Sequence, residues 1–142
     1  MIGTCSKCRK PAVTFIRYNG SHLCREHFIE YFEKRLKKDV KKQGKTENNS
    51  KLAVALSGGK DSTVALYVTH DLFSKRNSIE IVAITVDEGI KGYRDKSLKI
   101  AESNCKKLGI EHHIVSFKDI IGTTMDDIAY LKDEIGECSY CG

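Results

Sequence analysis

The sequence has no apolar run long enough to span a bilayer, and Met1 to Cys5 forms no signal-peptide core. Both absences argue against membrane insertion and export, so a cytoplasmic chain is expected. No internal repeat appears, which sets solenoid and propeller architectures aside. Hydrophobic residues make up 40% and charged residues 30%, the balance of an ordinary globular protein. The 142 residues suffice for one domain, or for a small domain plus an incomplete larger one.

Cysteine is plentiful. Six occur, four of them in two Cys-x-x-Cys pairs and a fifth in a Cys-x-x-His. Without an export signal, that spacing favours metal ligation over a disulfide scaffold. The net charge of +5 is unevenly spread. Residues 1–50 carry 12 Lys and Arg against 5 Asp and Glu, hence +7, and residues 51–142 carry 12 against 14, hence −2. A basic front third has two readings, a polyanion-binding surface or simply a solvated helix face.

Residues 1–27 are short, turn-rich and contain the first cluster, Cys5-x2-Cys8 and Cys24-x2-His27. Two close pairs separated by a hairpin-sized spacer suit tetrahedral zinc, each pair spanning one edge of the tetrahedron. His22, in the spacer, is the alternative fourth ligand, although the symmetric spacing favours His27. With all four positions filled by protein, the site is expected to brace the fold and do no chemistry. From Glu26 to Gln43, Phe28, Phe32, Leu36 and Val40 recur every four residues, which predicts a helix with one apolar stripe. Lys34, Arg35, Lys37, Lys38, Lys41 and Lys42 give it a basic surface. Residues 28–50 are therefore read as a basic helix and a linker, the polar stretch Gly44 to Ser50 being the linker.

From residue 51 the pattern becomes β-α-β. Leu52 to Leu56 predicts a strand buried on both faces, Asp61 to Phe73 a helix with Val64, Ala65, Val68 and Leu72 on one side, and Ile79 to Val86 a second strand. Tyr93 to Leu108 predicts a second helix, with Leu98, Ala101, Cys105 and Leu108 at helical spacing and Gly109 as its stop. Glu111 to Phe117 predicts a third strand, and Met125, Ile128, Leu131 and Ile135 a last helix. The fold class expected is α/β, a parallel sheet with helices on both faces, preceded by the small metal-binding domain. Because the chain stops one residue after Cys141, residues 51–142 are expected to be the front of a larger domain.

Between the first strand and its helix stands Ser57-Gly58-Gly59-Lys60-Asp61-Ser62. It lacks the spacing of a Walker A loop and of a Rossmann Gly-x-Gly-x-x-Gly. Its context is nonetheless that of a phosphate cradle: unpaired N–H groups and a positive helix end face the ligand, glycines admit it closely, and Lys60 adds charge. The hexapeptide resembles the PP-loop of ATP pyrophosphatases, which cleave ATP between the α and β phosphates. That resemblance implies that Ala55, Leu56, Ser57, Gly58, Gly59, Lys60, Asp61 and Ser62 surround the nucleotide, that Lys60 neutralises developing phosphate charge, and that Asp61 helps hold Mg2+ or the loop. It also implies that Ile84 and Thr85 flank the adenine, with Val86 to Ile90 continuing the site.

The rear pair, Cys138-x2-Cys141, has three readings: half a zinc site, a redox dithiol, or two ligands of an iron–sulfur cluster. Taken in order, the front cluster, the PP-loop and the rear pair resemble the TtcA/TtuA/Ncs6 group of tRNA 2-thiouridine synthetases along essentially the whole chain. The resemblance implies ATP-dependent tRNA 2-thiolation, in which the C2 oxygen of a uridine is adenylated and then displaced by sulfur. It implies a [4Fe–4S] cluster on Cys138 and Cys141, whose third cysteine is not in this chain, and makes both cysteines catalytic alongside Lys60 and Asp61. The implied partners are tRNA, contacted through the basic helix, and a sulfur donor, either sulfide or a ubiquitin-like sulfur carrier; many relatives are homodimers. Cys105, on an apolar helix face, is read as a buried structural thiol. The alternatives are another PP-loop ligase, or a zinc-dependent RNA-binding module without catalysis.

Overall fold

The computed structural model describes residues 3–43, 47–92 and 94–130, so Cys138, Cys141, Leu131 and Ile135 lie outside the described residues. The chain divides into two compact units, Met1–Thr46 and Glu47–Gly142. The basic helix therefore belongs to the same unit as the cysteine cluster.

In the first unit β1 (Thr14–Ile16) and β2 (Ser21–Leu23) form an antiparallel hairpin, in which Phe15 pairs with His22 and Thr14 with Leu23. Gly20, at φ 68°, completes its turn. Helix α1 (Arg25–Lys42) follows directly. Of the apolar stripe expected, Leu36 and Val40 are half-buried while Phe28 and Phe32 are exposed, and none of the helix's residues is fully buried. The core of this unit is small: Cys5, Leu23 and Cys24, with Ile16 and Tyr31 packed beside them.

The second unit runs β3 (Ser50–Ala55), α2 (Lys60–Phe73), β4 (Ile79–Asp87), α3 (Arg94–Leu108), β5 (Glu111–Ser116), α4 (Phe117–Ile121) and α5 (Met125–Tyr130). The three strands form a parallel sheet in the order β3-β4-β5, in which Val54 lies beside Ala83 and Ala83 beside His112. β-branched residues fill β4, the central strand, where a pleated surface buried by neighbours favours them.

Four expectations are corrected. Strand β3 is not buried on both faces: Val54 and Leu56 are buried, whereas Ala53 and Ala55 are exposed. Helices α2 and α3 pack against each other, so both cover the same face. There Leu66, Ala101, Cys105 and Ile110 close over Val54, Leu56 and Ala83. Helix α2 turns a different side inward from the one predicted, because Leu66 and Phe73 are its buried residues and Val64 is 47% exposed. For α3 the predicted stripe holds, with Ala101 and Cys105 buried. Phe117 does not end β5 but opens α4, since the Ser116 side chain accepts a hydrogen bond from the Lys118 N–H and caps a new helix.

Candidate functional site

In the first unit the metal-type residues converge. Ligand atoms of Cys5, Cys8, Cys24 and His27 all lie within 4.8 Å of one another. Cys8 and Cys24 Sγ are 3.7 Å apart, and His27 Nδ1 is 3.4 Å from the Sγ of both Cys5 and Cys24. A disulfide needs sulfurs at ~2.05 Å, so these thiols are not bonded to each other. Bonds of ~2.3 Å to sulfur at tetrahedral angles place two sulfurs about 3.8 Å apart. The donor set therefore fits a single tetrahedral ion. Burial pushes the Cys5 thiol up, but the backbone N–H groups of Cys24, Lys7 and Cys8, together with His27, outweigh it and bring the thiol down to about 6. That favours the thiolate at Cys5, whereas at Cys24 the His27 N–H pulls the thiol down but burial and the Cys8, Cys5 and Glu26 side chains outweigh it and push it up.

The chain reaches this geometry by a tight turn. The Cys5 N–H bonds the Lys10 carbonyl at 2.7 Å, the Arg9 N–H bonds the Cys5 carbonyl at 3.0 Å, and Arg9 sits at φ 62°. His27 lies in the first turn of α1, so the same ligand set ties the helix to the knuckle. His22 is not a ligand here: its ring stacks on Phe15, with centroids 4.7 Å apart.

In the second unit the glycine-rich loop joins the end of β3 to the start of α2. Gly58 adopts φ 81°, and a Cβ there would stand 2.2 Å from the Ser97 carbonyl oxygen of α3. Only glycine fits, on both counts. Gly59 is the N-cap of α2 and no side chain caps the helix, which leaves its positive end uncapped at the loop. Ser57 and Ser62 Oγ are 3.0 Å apart, and the Ser62 hydroxyl reaches the Gly59 carbonyl at 3.1 Å, which closes the loop on itself. Lys60 and Asp61 pair at 3.0 Å, with 87% and 89% of their side chains exposed. Both are free to turn toward a ligand. Ala55 and Ser57 are exposed beside them and Leu56 is buried beneath.

A brace lies behind the loop, built on a contact between separate strands that has no local signature. Thr85, only 1% exposed, donates its hydroxyl proton to the Leu56 carbonyl at 2.5 Å. Its one proton being committed, the hydroxyl can only accept from His112 Nε2 at 2.7 Å, so that nitrogen carries a hydrogen. Burial pulls the His112 pKa down, which favours the neutral ring with its proton on Nε2. Thr85 thus supports the loop from below, while Ile84, half-buried next to Ala55, lies at the same end of the sheet.

The Val86 to Ile90 stretch is held from two sides. Arg94, with 7% of its side chain exposed, bonds the Val86 carbonyl and pairs with Glu88, and its Nε lies 4.0 Å from Asp87. That Nε is buried without a hydrogen-bond partner. Gly89, at φ 75°, leaves room for Thr124, and the Met125 N–H bonds the Glu88 carbonyl at 2.8 Å. Cys105 is buried, and its burial raises the thiol pKa, as suits a structural thiol. No described helix is long and apolar enough to cross a membrane.

Comparison with known families decides the fold's affiliation. The PP-loop domain model matches residues 28–130. The chain belongs to the PP-loop family. Its front, residues 4–29, matches the model of the N-terminal LIM domain of the 2-thiouridine synthetase TtuA. Among relatives, the tRNA 2-thiolation protein NcsA of Haloferax volcanii is 38% identical over 145 residues, covering 97% of this chain and 45% of the relative. The tRNA-5-methyluridine(54) 2-sulfurtransferase of Pyrococcus horikoshii is 36% identical over 138 residues, covering 97% of this chain and 42% of that protein. The U34-tRNA thiolase NcsA from Methanococcus maripaludis, solved with its [4Fe-4S] cluster, superposes with a TM-score of 0.82 at 37% identity, covering 100% of this chain and 47% of that one. The chain thus spans less than half the length of these relatives.

Proposed function

We propose that this PP-loop chain serves ATP-dependent 2-thiolation of a tRNA uridine. The observation that carries the reading is the loop itself: an uncapped helix start, a diglycine floor pressed on α3 and an exposed Lys60, all at the C-terminal end of a parallel sheet. Parallel α/β sheets bind their ligands at that end. The named relatives are a tRNA 2-thiolation protein and a tRNA-5-methyluridine(54) 2-sulfurtransferase, and the TtuA N-terminal LIM model covers the front cluster.

In this reading the first N–H groups of α2 and the Lys60 ammonium receive the β and γ phosphates. The C2 oxygen of the uridine attacks the α phosphorus, and the bond from that phosphorus to the bridging oxygen breaks. Lys60 stabilises charge gathering on pyrophosphate, and donors already in place do so without reorganising during the reaction. Swinging to the phosphates releases Asp61, which is then free to hold Mg2+ or the loop. Adenylation converts a poor leaving oxygen into AMP, which sulfur displaces. Ala55, Leu56, Ser57, Gly58, Gly59, Ser62 and Ile84 line the nucleotide site, with Thr85 as its support.

Cys5, Cys8, Cys24 and His27 hold structural zinc. Cys138 and Cys141 are proposed as two cluster ligands, because the superposed thiolase carries a [4Fe-4S] cluster. Lys34, Lys38 and Lys42 on α1 meet tRNA phosphates, which position RNA without reading its sequence. A cytoplasmic site of action, a sulfide or carrier-protein sulfur donor and a homodimer complete the proposal.

The test is pyrophosphate release from ATP, together with 2-thiouridine measured by mass spectrometry, for wild type and Lys60→Ala in the full-length protein with tRNA. We expect Lys60→Ala to lower both about 100-fold or more, the scale of losing one preorganised charge donor. Equal activity of the two proteins would remove the catalytic reading and leave a metal-braced RNA-binding fold.

A further inference from the structure

The first unit contains a feature that neither the metal cluster nor the PP-loop accounts for. Tyr18, at the tip of the β1–β2 hairpin, is 74% exposed, an unusual position for a large aromatic ring with no metal or core task. It is not adrift. The Arg35 guanidinium lies over its ring, 5.1 Å from the centroid. Arg35 is itself fixed, since its Nη1 donates to the Tyr31 hydroxyl at 3.1 Å and its Nε lies 4.0 Å from Asp39. Tyr31 in turn packs on the cysteine cluster. These residues surround a groove of about 290 Å³ lined by Tyr18, Tyr31, Lys34, Arg35, Lys38, Asp39 and Lys42.

Four cations against one carboxylate give the groove a net charge of +3. Its volume falls at the small end of ligand sites, which run roughly 300–1,000 Å³. That size suits one nucleotide rather than a duplex. The chemistry is that of a base-stacking site, with aromatic and guanidinium planes for a nucleobase and ammonium groups for the flanking phosphates. An acidic peptide would use the lysines but leave the exposed ring idle, so the ring selects RNA.

We propose that this groove captures one unpaired nucleotide of the RNA substrate, stacked on Tyr18 and Arg35, with its phosphates on Lys34 and Lys38. The proposal rests on the tRNA reading above and deepens it. The basic helix supplies sequence-blind attraction, and the hairpin tip distinguishes looped-out from paired RNA. The metal cluster holds the two walls at a fixed spacing, because it fastens the start of α1 to the strands that carry Tyr18.

The test uses the metal-loaded full-length protein, with fluorescence anisotropy of a labelled oligouridylate and of a blunt RNA duplex, over a series of salt concentrations. Tyr18→Ala should weaken oligouridylate binding about 10-fold, within the range for losing one base stack, and leave duplex binding within about twofold. Tyr18→Phe should restore it. Lys34→Gln should lower the slope of log affinity against log salt by about 1, whereas Tyr18→Ala should leave the slope unchanged. Metal content equal to wild type shows that each variant is folded. Oligouridylate binding unchanged by Tyr18→Ala, or an equal loss for duplex, overturns the stacking site and leaves the thiolation reading standing. Tyr18-dependent binding in a wild-type protein that makes no 2-thiouridine sinks the thiolation reading alone.

Discussion

The two units solve the problem of holding shape by opposite means. Among its described residues the front unit buries three, two of them cysteines, and leaves every residue of an 18-residue helix at least partly exposed. The rear unit closes Leu66, Ala101, Cys105 and Ile110 over a three-stranded sheet. A core of three residues cannot offset the conformational entropy of fixing a hairpin and a knuckle. Four converging ligands can, because metal binding there is folding free energy. The difference shows where each unit is vulnerable: one to chelation and oxidation, the other to cavities.

The largest effect should therefore come from removing the metal. Chelation forfeits about 10–16 kcal/mol of binding energy, the range for structural zinc peptides. Hydrogen exchange should then show the amides of Thr14 to Leu23 losing protection while those of Ile79 to Asp87 keep theirs. Uniform loss across both units would mean that the metal supports the whole chain. Next, Leu66→Ala empties a fully buried position and should cost about 2–5 kcal/mol in denaturant titration, with metal content unchanged. A smaller change acts on the loop's support. Thr85→Val keeps the shape but strips the Leu56 carbonyl of its donor, at about 1–3 kcal/mol, and should weaken ATP binding, whereas Thr85→Ser should retain both stability and affinity. The smallest effect runs in the other direction. Arg9 holds a left-handed backbone at φ 62°, so Arg9→Gly should gain about 1 kcal/mol against chelator-induced unfolding.

Much of this was legible because it was local. The four metal positions could be read from spacing, and the parallel sheet from apolar runs alternating with helical periods. Features set by distant neighbours were not. Val64 and Ala65 looked like core because apolar character in α2 is spread round the helix, and only the position of α3 decides that Leu66 turns inward. The exposure of Ala53 and Ala55 follows from both crossover helices choosing one face, which no window of β3 reveals. Helix α4 did leave a trace, a serine at 116 followed three residues later by Asp119, the kind of pattern that starts a helix, but a strand's hydrophobicity ran into it. The Thr85–His112 contact and the pairing of Arg94 with Asp87 and Glu88 join separate elements and have no local signature. The Arg35 guanidinium over the Tyr18 ring likewise joins the hairpin tip to α1 and has no local signature.

Gly58 carries one more implication. The hydrogen where its side chain would be touches the backbone of a helix belonging to the next crossover, not to its own. The loop proposed to hold the nucleotide is therefore calibrated by α3: any tilt or register change in that helix is transmitted to it with no side chain to cushion it. Attempts to retune this loop by redesigning the hexapeptide alone will meet a rigid backstop in the backbone of α3.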